Sequence, residues 1–258
     1  MVSYILTGCG FISLCFFLFK RDKKSSVVAI ALKALTSLFF IATAIFSLIE
    51  NVSDKGNIEY AKMLPLILLL LGLVFGMVGD IFLDFKIYFK TLNMRFLSLE
   101  NDYDILMITG MSAFGIGHVF YIFGSLSIDT SLWLYLVTSL LVGAAFITLI
   151  MLFSIRVMKM NFRKFFIPCI IYGFLLCSFI CFSIIRLANH YSKDNLLLLL
   201  GSILFLVSDL ILSITYFSKE EDYKKEGLMN PESRFMIITN HTTYYAAQFL
   251  IAIAIMFI

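Results

Sequence analysis

Two aspartates stand inside segments that are otherwise almost wholly apolar. Asp80 follows the run LPLILLLLGLVFGMVG, and Asp209 follows GSILFLVS. Few cations share these segments to pair with them. A carboxyl group in hydrocarbon is costly, so an acid in such a place is a functional candidate by default. Buried acids of this kind serve either acid–base chemistry or the passage of protons and ions.

Three further titratable residues occupy apolar segments, and each has a plain structural alternative. Lys33 either takes part in the site or extends its ammonium group to the head groups of the membrane. His118 either serves the site or donates a hydrogen bond to a neighbouring helix. Asp84 lies near the expected membrane edge, and we interpret it as an interfacial carboxylate. The polar residues that accompany them are Tyr121, Tyr172, Ser208, Asn240, His241, Tyr244, Tyr245 and Gln248.

The spacing of these residues predicts shared helical faces. Gly72, Gly76 and Asp80 recur at every fourth position, which puts them on one side of a helix. Gly72 and Gly76 form a GxxxG pattern, which lets a second helix approach closely. We therefore expect Asp80 to face the interior of a bundle. Similar faces are formed by Gly110, Phe114, His118 and Tyr121, by Gly201 and Asp209, and by Asn240, Tyr244 and Gln248.

The composition indicates a membrane protein built from helices. The chain has 258 residues, of which 61% are hydrophobic and 14% charged, too few charges to cover a soluble protein of this size. A helix needs ~20 apolar residues to cross a bilayer, where it satisfies its own backbone groups. We predict an all-α bundle of eight transmembrane helices in one domain, residues 1–258. The predicted spans lie near 3–19, 27–49, 63–85, 105–126, 131–155, 165–187, 195–217 and 235–258.

The basic residues predict the orientation of this bundle. Fifteen of the 20 lysines and arginines fall in the first, third, fifth and seventh loops, and four fall in the other loops. Because positively charged loops stay in the cytoplasm, we predict cytoplasmic odd loops and both termini on the opposite side. An even number of spans agrees with that arrangement. The net charge of only +3 predicts no nucleic-acid partner.

The topology also predicts the depth of the polar residues. Asp80 and Asp209 would lie roughly 8–12 Å inside the cytoplasmic ends of their helices. Lys33 would enter from the same side to a similar depth, and His118 would lie deepest. These positions predict a polar pocket in the cytoplasmic half of the bundle, with lipid beside it. No ligand-spaced cluster such as HExxH appears, so we expect no metal and no other cofactor.

Several short motifs follow one another in a recognisable order. They are KALT from Lys33, GDIFL from Gly79, GMSAF from Gly110, HVFY from His118, Tyr172, GSILFLVSD ending at Asp209, and YYAAQ from Tyr244 to Gln248. Together they resemble the YhhN-type lysoplasmalogenase family, also called the transmembrane alkenyl-ether hydrolases. The resemblance covers nearly the whole chain. One departure is Ala34, where the family often has proline after the lysine.

The resemblance implies an enzyme that hydrolyses the vinyl-ether bond of lysoplasmalogens. The products would be a fatty aldehyde and glycerophosphocholine or glycerophosphoethanolamine. Such a reaction needs one acid to protonate the alkene and one carboxylate to stabilise the cation and activate water, as glycoside cleavage does. We expect Asp80 and Asp209 to be this pair, with His118 orienting water or a carboxylate. The expected substrate-binding residues are Lys33, Tyr121, Tyr172, Tyr244, Tyr245 and Gln248.

Two other functions remain as alternatives. Intramembrane acids with a histidine also mark ion- or proton-coupled transporters, although we find no inverted repeat and no paired broken helices. A non-catalytic lipid-binding protein is the second alternative, but such a relative would be expected to have lost the acids. For the predicted enzyme the partners are a lysophospholipid substrate and the lipid bilayer, in a bacterial plasma membrane or a eukaryotic endomembrane. The sequence does not distinguish an oligomer from a monomer.

Overall fold

Long helices dominate the computed structural model, which describes residues 1–21, 27–55, 60–93, 100–127, 133–224 and 226–258. A short 3₁₀ helix, Arg163–Phe165, precedes the sixth α-helix, and no strand occurs within these ranges. The all-α prediction is therefore confirmed for the described residues. The helices are α1 (Val2–Lys20), α2 (Val27–Lys55), α3 (Tyr60–Asn93), α4 (Glu100–Ser127), α5 (Trp133–Arg156), α6 (Phe166–Asn189), α7 (Lys193–Phe217), α8 (Glu220–Lys224) and α9 (Arg234–Ala254).

The starts of α7 and α9 follow from their capping residues. The side chain of Ser192 accepts a hydrogen bond from the backbone of Asn195, and the side chain of Ser233 accepts one from Met236. A serine in this position satisfies one of the backbone N–H groups that the first helical turn leaves free. The first residues of α7 and α9 are therefore determined by the local sequence.

Seven of the long helices, α1 to α7, are long and apolar enough to cross a membrane, judged over the described residues. The remaining long helix, α9, has 21 residues, which is also enough length. It does not belong to the seven, and the polar residues Asn240, His241 and Gln248 lower its apolar character. Gln248 is fully buried. An eighth crossing therefore stays a prediction, although its helix is present.

The helix α9 is central to the bundle. It packs against α7 and α2 and also contacts α1 and α3. Its small residues Ala247, Ala252 and Ala254 are completely buried, which lets the neighbouring helices come close. Polar side chains on α9 consequently meet protein on several sides, and this explains how so polar a helix fits into an apolar bundle.

Glycines let α3 and α4 pack closely against each other. A methyl group on Gly72 would lie 2.2 Å from the Cε1 atom of Tyr121, and one on Gly117 would lie 3.0 Å from the carbonyl oxygen of Gly72. The predicted GxxxG approach is therefore confirmed, and it occurs between two helices of the same chain. It places the His118–Tyr121 stretch of α4 directly against the face of α3 that carries Asp80.

A methyl group at this contact tests the close approach. We expect Gly72→Ala to destabilise the protein by about 1–3 kcal/mol, because a tightly packed interior does not accept an added carbon without strain. Gly8→Ala is the matched control, since nothing lies within 4 Å of a methyl group there. It should leave stability unchanged or raise it, as alanine favours helix. Thermal unfolding in detergent measures both, and equal melting temperatures would contradict the close packing.

Candidate functional site

A polar cavity of about 70 Å³ lies among α2, α3, α7 and α9, beside the residue that follows α1. Asp80 and Asp209 both line it, although they come from different helices. The structure thus brings the two predicted acids to one cavity. Its other polar lining residues are Arg21, Lys33, Asp84, Ser208, Thr215, Tyr216, Asn240, His241 and Tyr244.

Four buried charges lie along one wall of this cavity. The ammonium nitrogen of Lys33 lies 3.0 Å from Asp80 Oδ1 and 3.4 Å from Asp84 Oδ1. Arg21 Nη2 lies 3.9 Å from Asp84 Oδ1. We call Arg21, Lys33, Asp80 and Asp84 the charge cluster. Each of the four residues is at most 5% exposed.

The charge cluster corrects one expectation and bears on the two alternatives for Lys33. Asp84 is 1% exposed, so its interpretation as an interfacial carboxylate was wrong. Lys33 forms an ion pair with Asp80 inside the bundle, which agrees with the alternative that places it in the site. The physical reason is helical geometry: Asp84 lies one turn after Asp80 and therefore on the same face. The end of α1 and the start of α2 cover that face.

Hydroxyl groups surround the other oxygen of Asp80. Ser37 donates a hydrogen bond of 3.3 Å to Asp80 Oδ2. The hydroxyl of Tyr245 lies 3.4 Å from the same oxygen, 3.2 Å from Ser37 and 3.1 Å from the carbonyl of Lys33. Asp80 is therefore held on one side by an ammonium group and on the other by hydroxyl groups, an arrangement that stabilises a carboxylate.

Asp209 has a different environment. The hydroxyl of Tyr172 donates a hydrogen bond to it, and it forms no ion pair within the part of the chain that the structure describes. Tyr172 is on α6, so this contact joins α6 to α7. The ring of Tyr172 contacts the ring of His118, with centroids 5.6 Å apart.

His118 itself is enclosed by rings. Its Nδ1 lies 2.8 Å from the carbonyl oxygen of Phe114 on its own helix, to which it can donate. Its Nε2 has no hydrogen-bond partner among the described residues. The ring of Phe205 lies 4.7 Å away, centroid to centroid. His118 lines neither the polar cavity nor the apolar cavity described below, and its ring contact with Tyr172 links it to Asp209.

A chain of hydrogen bonds joins three more of the predicted residues. Tyr121 donates to Gln248 Oε1 at 2.9 Å, Gln248 Nε2 donates to the hydroxyl of Tyr244 at 2.9 Å, and Tyr244 donates to the carbonyl of Gly76 at 3.2 Å. A methyl group on Gly76 would lie 2.4 Å from Gln248 Nε2, so a larger residue there would displace the amide from this chain. Of these side chains only that of Tyr244 reaches the polar cavity. This series of hydrogen bonds therefore fixes the side chain of Tyr244 at the wall of the polar cavity.

A second cavity, of about 110 Å³, adjoins the first and is almost entirely apolar. Asp209 lines both cavities, together with Leu83, Leu212 and Tyr216. The remainder of the apolar wall comes from α4, α5, α6 and α7 and includes Met107, Met111, Ile147, Met151, Leu176 and Leu206. Asp209 thus stands where a polar compartment meets an apolar one.

An outer groove continues the apolar cavity toward the surface of the bundle. It runs between α5 and α7, which both pack against α6. Ile150, Ser154, Leu210 and Ser213 line both the groove and the apolar cavity. Leu210 is 38% exposed. The two cavities and the groove therefore adjoin one another from the charge cluster to the outside of the helical bundle.

Some members of this site are not among the residues predicted from the sequence. Arg21 belongs to the basic stretch KRDKK, where it counted only as an orientation signal. Ser37 and Tyr216 looked like ordinary residues of a span. The helical spacing of Ser37, one turn after Lys33, is the signal that could have found it. Within the described residues, no group of three or more His, Cys, Asp or Glu side chains is arranged to hold a metal ion.

Comparison with known proteins identifies the family. The profile of the YhhN family matches residues 28–255. The chain belongs to the YhhN family. A search among proteins of curated function found no match, and a search among solved structures found none either. The matched segment contains every member of the candidate site except Arg21.

The charge cluster predicts a large effect of removing its central lysine. Lys33→Met leaves Asp80 and Asp84 buried without that cation, and we expect it to destabilise the fold by about 3–5 kcal/mol. Lys33→Arg, which keeps a cation, should retain more of the stability. Lys164→Met is the control, because Lys164 pairs with Asp104 at the exposed surface and such pairs contribute little. The measurement is thermal unfolding in detergent. A larger loss of melting temperature in Lys164→Met than in Lys33→Met would contradict this prediction.

Proposed function

We propose that this YhhN protein hydrolyses the vinyl-ether bond of lysoplasmalogens, releasing a fatty aldehyde and glycerophosphocholine or glycerophosphoethanolamine. The observation that carries the proposal is the position of Asp209. It faces a polar cavity that also holds Asp80, and it faces an apolar cavity on its other side. A lysoplasmalogen has the same division, because its vinyl-ether bond joins a polar glycerophospho group to a hydrocarbon chain.

The chemistry needs a proton donor and a carboxylate. In the first step an acid protonates the alkene carbon that is not bound to oxygen, and the positive charge is shared between the other alkene carbon and the ether oxygen. Water then adds to that carbon and gives its proton to the carboxylate. The glycerol oxygen of the resulting hemiacetal takes that proton back from the carboxyl group as its bond to carbon breaks, and it leaves as an alcohol. The hydroxyl group of the hemiacetal returns its own proton to the first acid as the carbonyl forms. The aldehyde remains, and one water molecule has been consumed.

The environments of the two acids support a division of roles. Lys33, 3.0 Å away, favours Asp80 as the carboxylate that stabilises the cation and takes the proton from water. Asp209 lies at the apolar boundary and has no ion pair within the described residues, which favours it as the proton donor. Tyr172 holds the Asp209 side chain in place through its hydrogen bond.

The remaining site residues would position substrate or the acids. Lys33 also faces the cavity, where it can meet the phosphate of the head group as a point charge. Tyr121 and Gln248 act through Tyr244, Tyr245 acts through Asp80, and His118 acts through the ring of Tyr172. In this proposal His118 is a positioning residue.

The outer groove is the proposed route by which substrate enters from the bilayer. The hydrocarbon chain would pass between α5 and α7 and occupy the apolar cavity, while the head group reaches the charge cluster. We further propose eight membrane crossings, with α9 as the last, and both termini on the non-cytoplasmic side. The polar cavity then opens toward the cytoplasmic half of the membrane.

The first test is release of fatty aldehyde from a 1-alkenyl lysophospholipid by the detergent-purified protein. We expect Asp80→Asn and Asp209→Asn each to lower kcat by about 10²–10⁴-fold, the contribution typical of general acid–base catalysis. Asp104→Asn, an acid of α4 outside both cavities, is the control and should retain activity. All variants are checked for folding by gel filtration and thermal unfolding.

Two outcomes would count against the proposal. Full activity in both folded asparagine variants would show that these aspartates are not the catalytic pair. A folded wild-type protein that releases no aldehyde would remove the enzymatic proposal itself. Solute or proton flux in proteoliposomes without chemical turnover would then favour the transporter alternative.

The entry route gives a second prediction, based on two lipid-facing residues of α7. Leu210 and Val207 are equally exposed, at 38%, but only Leu210 lines the groove and the apolar cavity. We expect Leu210→Trp to lower aldehyde release from a long-chain lysoplasmalogen by roughly tenfold, because the larger ring fills the passage. Val207→Trp should have little effect. Equal activities of the two variants would argue against entry between α5 and α7.

A further inference from the structure

The guanidinium group of Arg21 is the least satisfied charge in the site. Arg21 follows the last residue of α1, and its side chain lines the polar cavity. Only 5% of the residue is exposed, so it is more than nine-tenths buried. Its Nε and Nη1 atoms have no hydrogen-bond partner within the described residues. Its remaining contact there is the 3.9 Å approach of Nη2 to Asp84. A buried charged donor without a partner is unusual and calls for a ligand or ordered water.

The backbone around Arg21 is held firmly. Arg234, the first residue of α9, donates hydrogen bonds to the carbonyl oxygens of Arg21 and Leu18 at the end of α1. The N–H of Arg21 bonds the carbonyl of Phe17 at 2.7 Å. These contacts fix the position from which the guanidinium group enters the cavity, so its free donors are presented in a defined direction.

We propose that Arg21 is the phosphate-binding residue of this cavity, with Lys33 as the second cation beside the ligand. A guanidinium group presents several N–H donors in a plane that matches two oxygens of a phosphate. Asp84 lies between the two cations, 3.9 Å from Arg21 Nη2 and 3.4 Å from Lys33 Nζ. The ligand is a phosphodiester, and the inference rests on the proposed function in taking it to be the head group of a lysophospholipid.

The order of groups along the cavities supports this assignment. Arg21 and Lys33 line only the polar cavity, Asp209 lines the boundary, and the apolar cavity follows. A lysoplasmalogen carries its phosphate, glycerol, vinyl-ether bond and hydrocarbon chain in the same order. A phosphate on Arg21 would therefore direct the reactive bond toward Asp209. Arg21 precedes residue 28, where the family match begins, so its role is inferred from geometry alone.

The test measures binding without turnover. The probes are a saturated 1-O-alkyl lysophosphatidylethanolamine, which has no vinyl-ether bond to cleave, and the matching 1-O-alkylglycerol, which has no phosphate. We expect Arg21→Gln to weaken binding of the phosphate-containing lipid by about 10- to 100-fold, the range for a lost charged hydrogen bond. Binding of the alkylglycerol should not change. Arg21→Lys, which keeps the charge but loses the planar donors, should lie between.

A control variant and a soluble probe sharpen the result. Arg156→Gln removes an exposed cation at the end of α5 and should leave both affinities unchanged. Glycerophosphoethanolamine without a hydrocarbon chain tests the source of the phosphate. If it binds the wild type as tightly as the lipid does and depends on Arg21, the site takes soluble phosphodiesters, and the assignment to a lipid head group is overturned.

The remaining outcomes separate this inference from the proposed function. Loss of phosphate-dependent binding in folded Arg21→Gln, without aldehyde release by the wild type, would support the phosphate site and remove the enzymatic function. Aldehyde release together with equal losses for both probes in Arg21→Gln would indicate a merely structural role and overturn the inference. Unchanged binding of both probes would mean that water alone satisfies the guanidinium group, and would also overturn it.

Discussion

The ion pair between Lys33 and Asp80 is the interaction on which the site depends. It joins α2 to α3 inside the bundle, at 3.0 Å, and Asp84 and Arg21 extend it to the end of α1. Charges in such surroundings stay ionised only when they are paired and hydrogen-bonded. The cluster therefore determines which helices must meet, because any displacement of α2 from α3 would leave a charge unpaired in an apolar interior.

The polar residues of α9 form a second buried network at the centre of the bundle. The helix α9 brings Tyr244, Tyr245 and Gln248 to the interior, where every one of their polar groups has a partner on α2, α3, α4 or α9 itself. In lipid such a network cannot exchange with water, so it rigidifies the elements that it joins. It also explains why α9 is less apolar than the other long helices and yet is the one that most of them contact.

Much of the fold could be predicted because its signals are local. Runs of apolar residues gave helices close to their observed bounds, and the Gly72–Gly76 spacing anticipated the contact of α3 with α4. The placement of Asp80 and Asp209 at one cavity was also anticipated, since it follows from inward-facing positions on two helices. Those inferences needed only the helical period of about 3.6 residues, which shows which residues share a face, and the number of residues in each apolar run. They needed no knowledge of side-chain partners.

The errors came from residues whose environment depends on neighbouring helices. Counting along α3 put Asp84 near the membrane edge, but the end of α1 covers it. Arg21 was counted as one of several loop cations, because nothing in the sequence shows that its side chain turns inward. His118 is buried within the protein, yet its hydrogen bond goes to Phe114 on its own helix and not to a neighbouring helix. The position of a residue along its helix can be counted from the sequence, whereas its side-chain partners depend on how the helices pack.

The balance of charge links the two halves of the proposed mechanism. The polar cavity holds three carboxyl groups, those of Asp80, Asp84 and Asp209, against the cations Lys33 and Arg21. Asp80 and Asp84 both contact these cations, and the proposed mechanism therefore assigns the transferable proton to the third carboxyl group. Asp209 is the acid without a cation among the described residues. A phosphate bound at Arg21 would add negative charge nearby and further favour the protonated form of Asp209. Substrate binding would then prepare the acid that cleaves it.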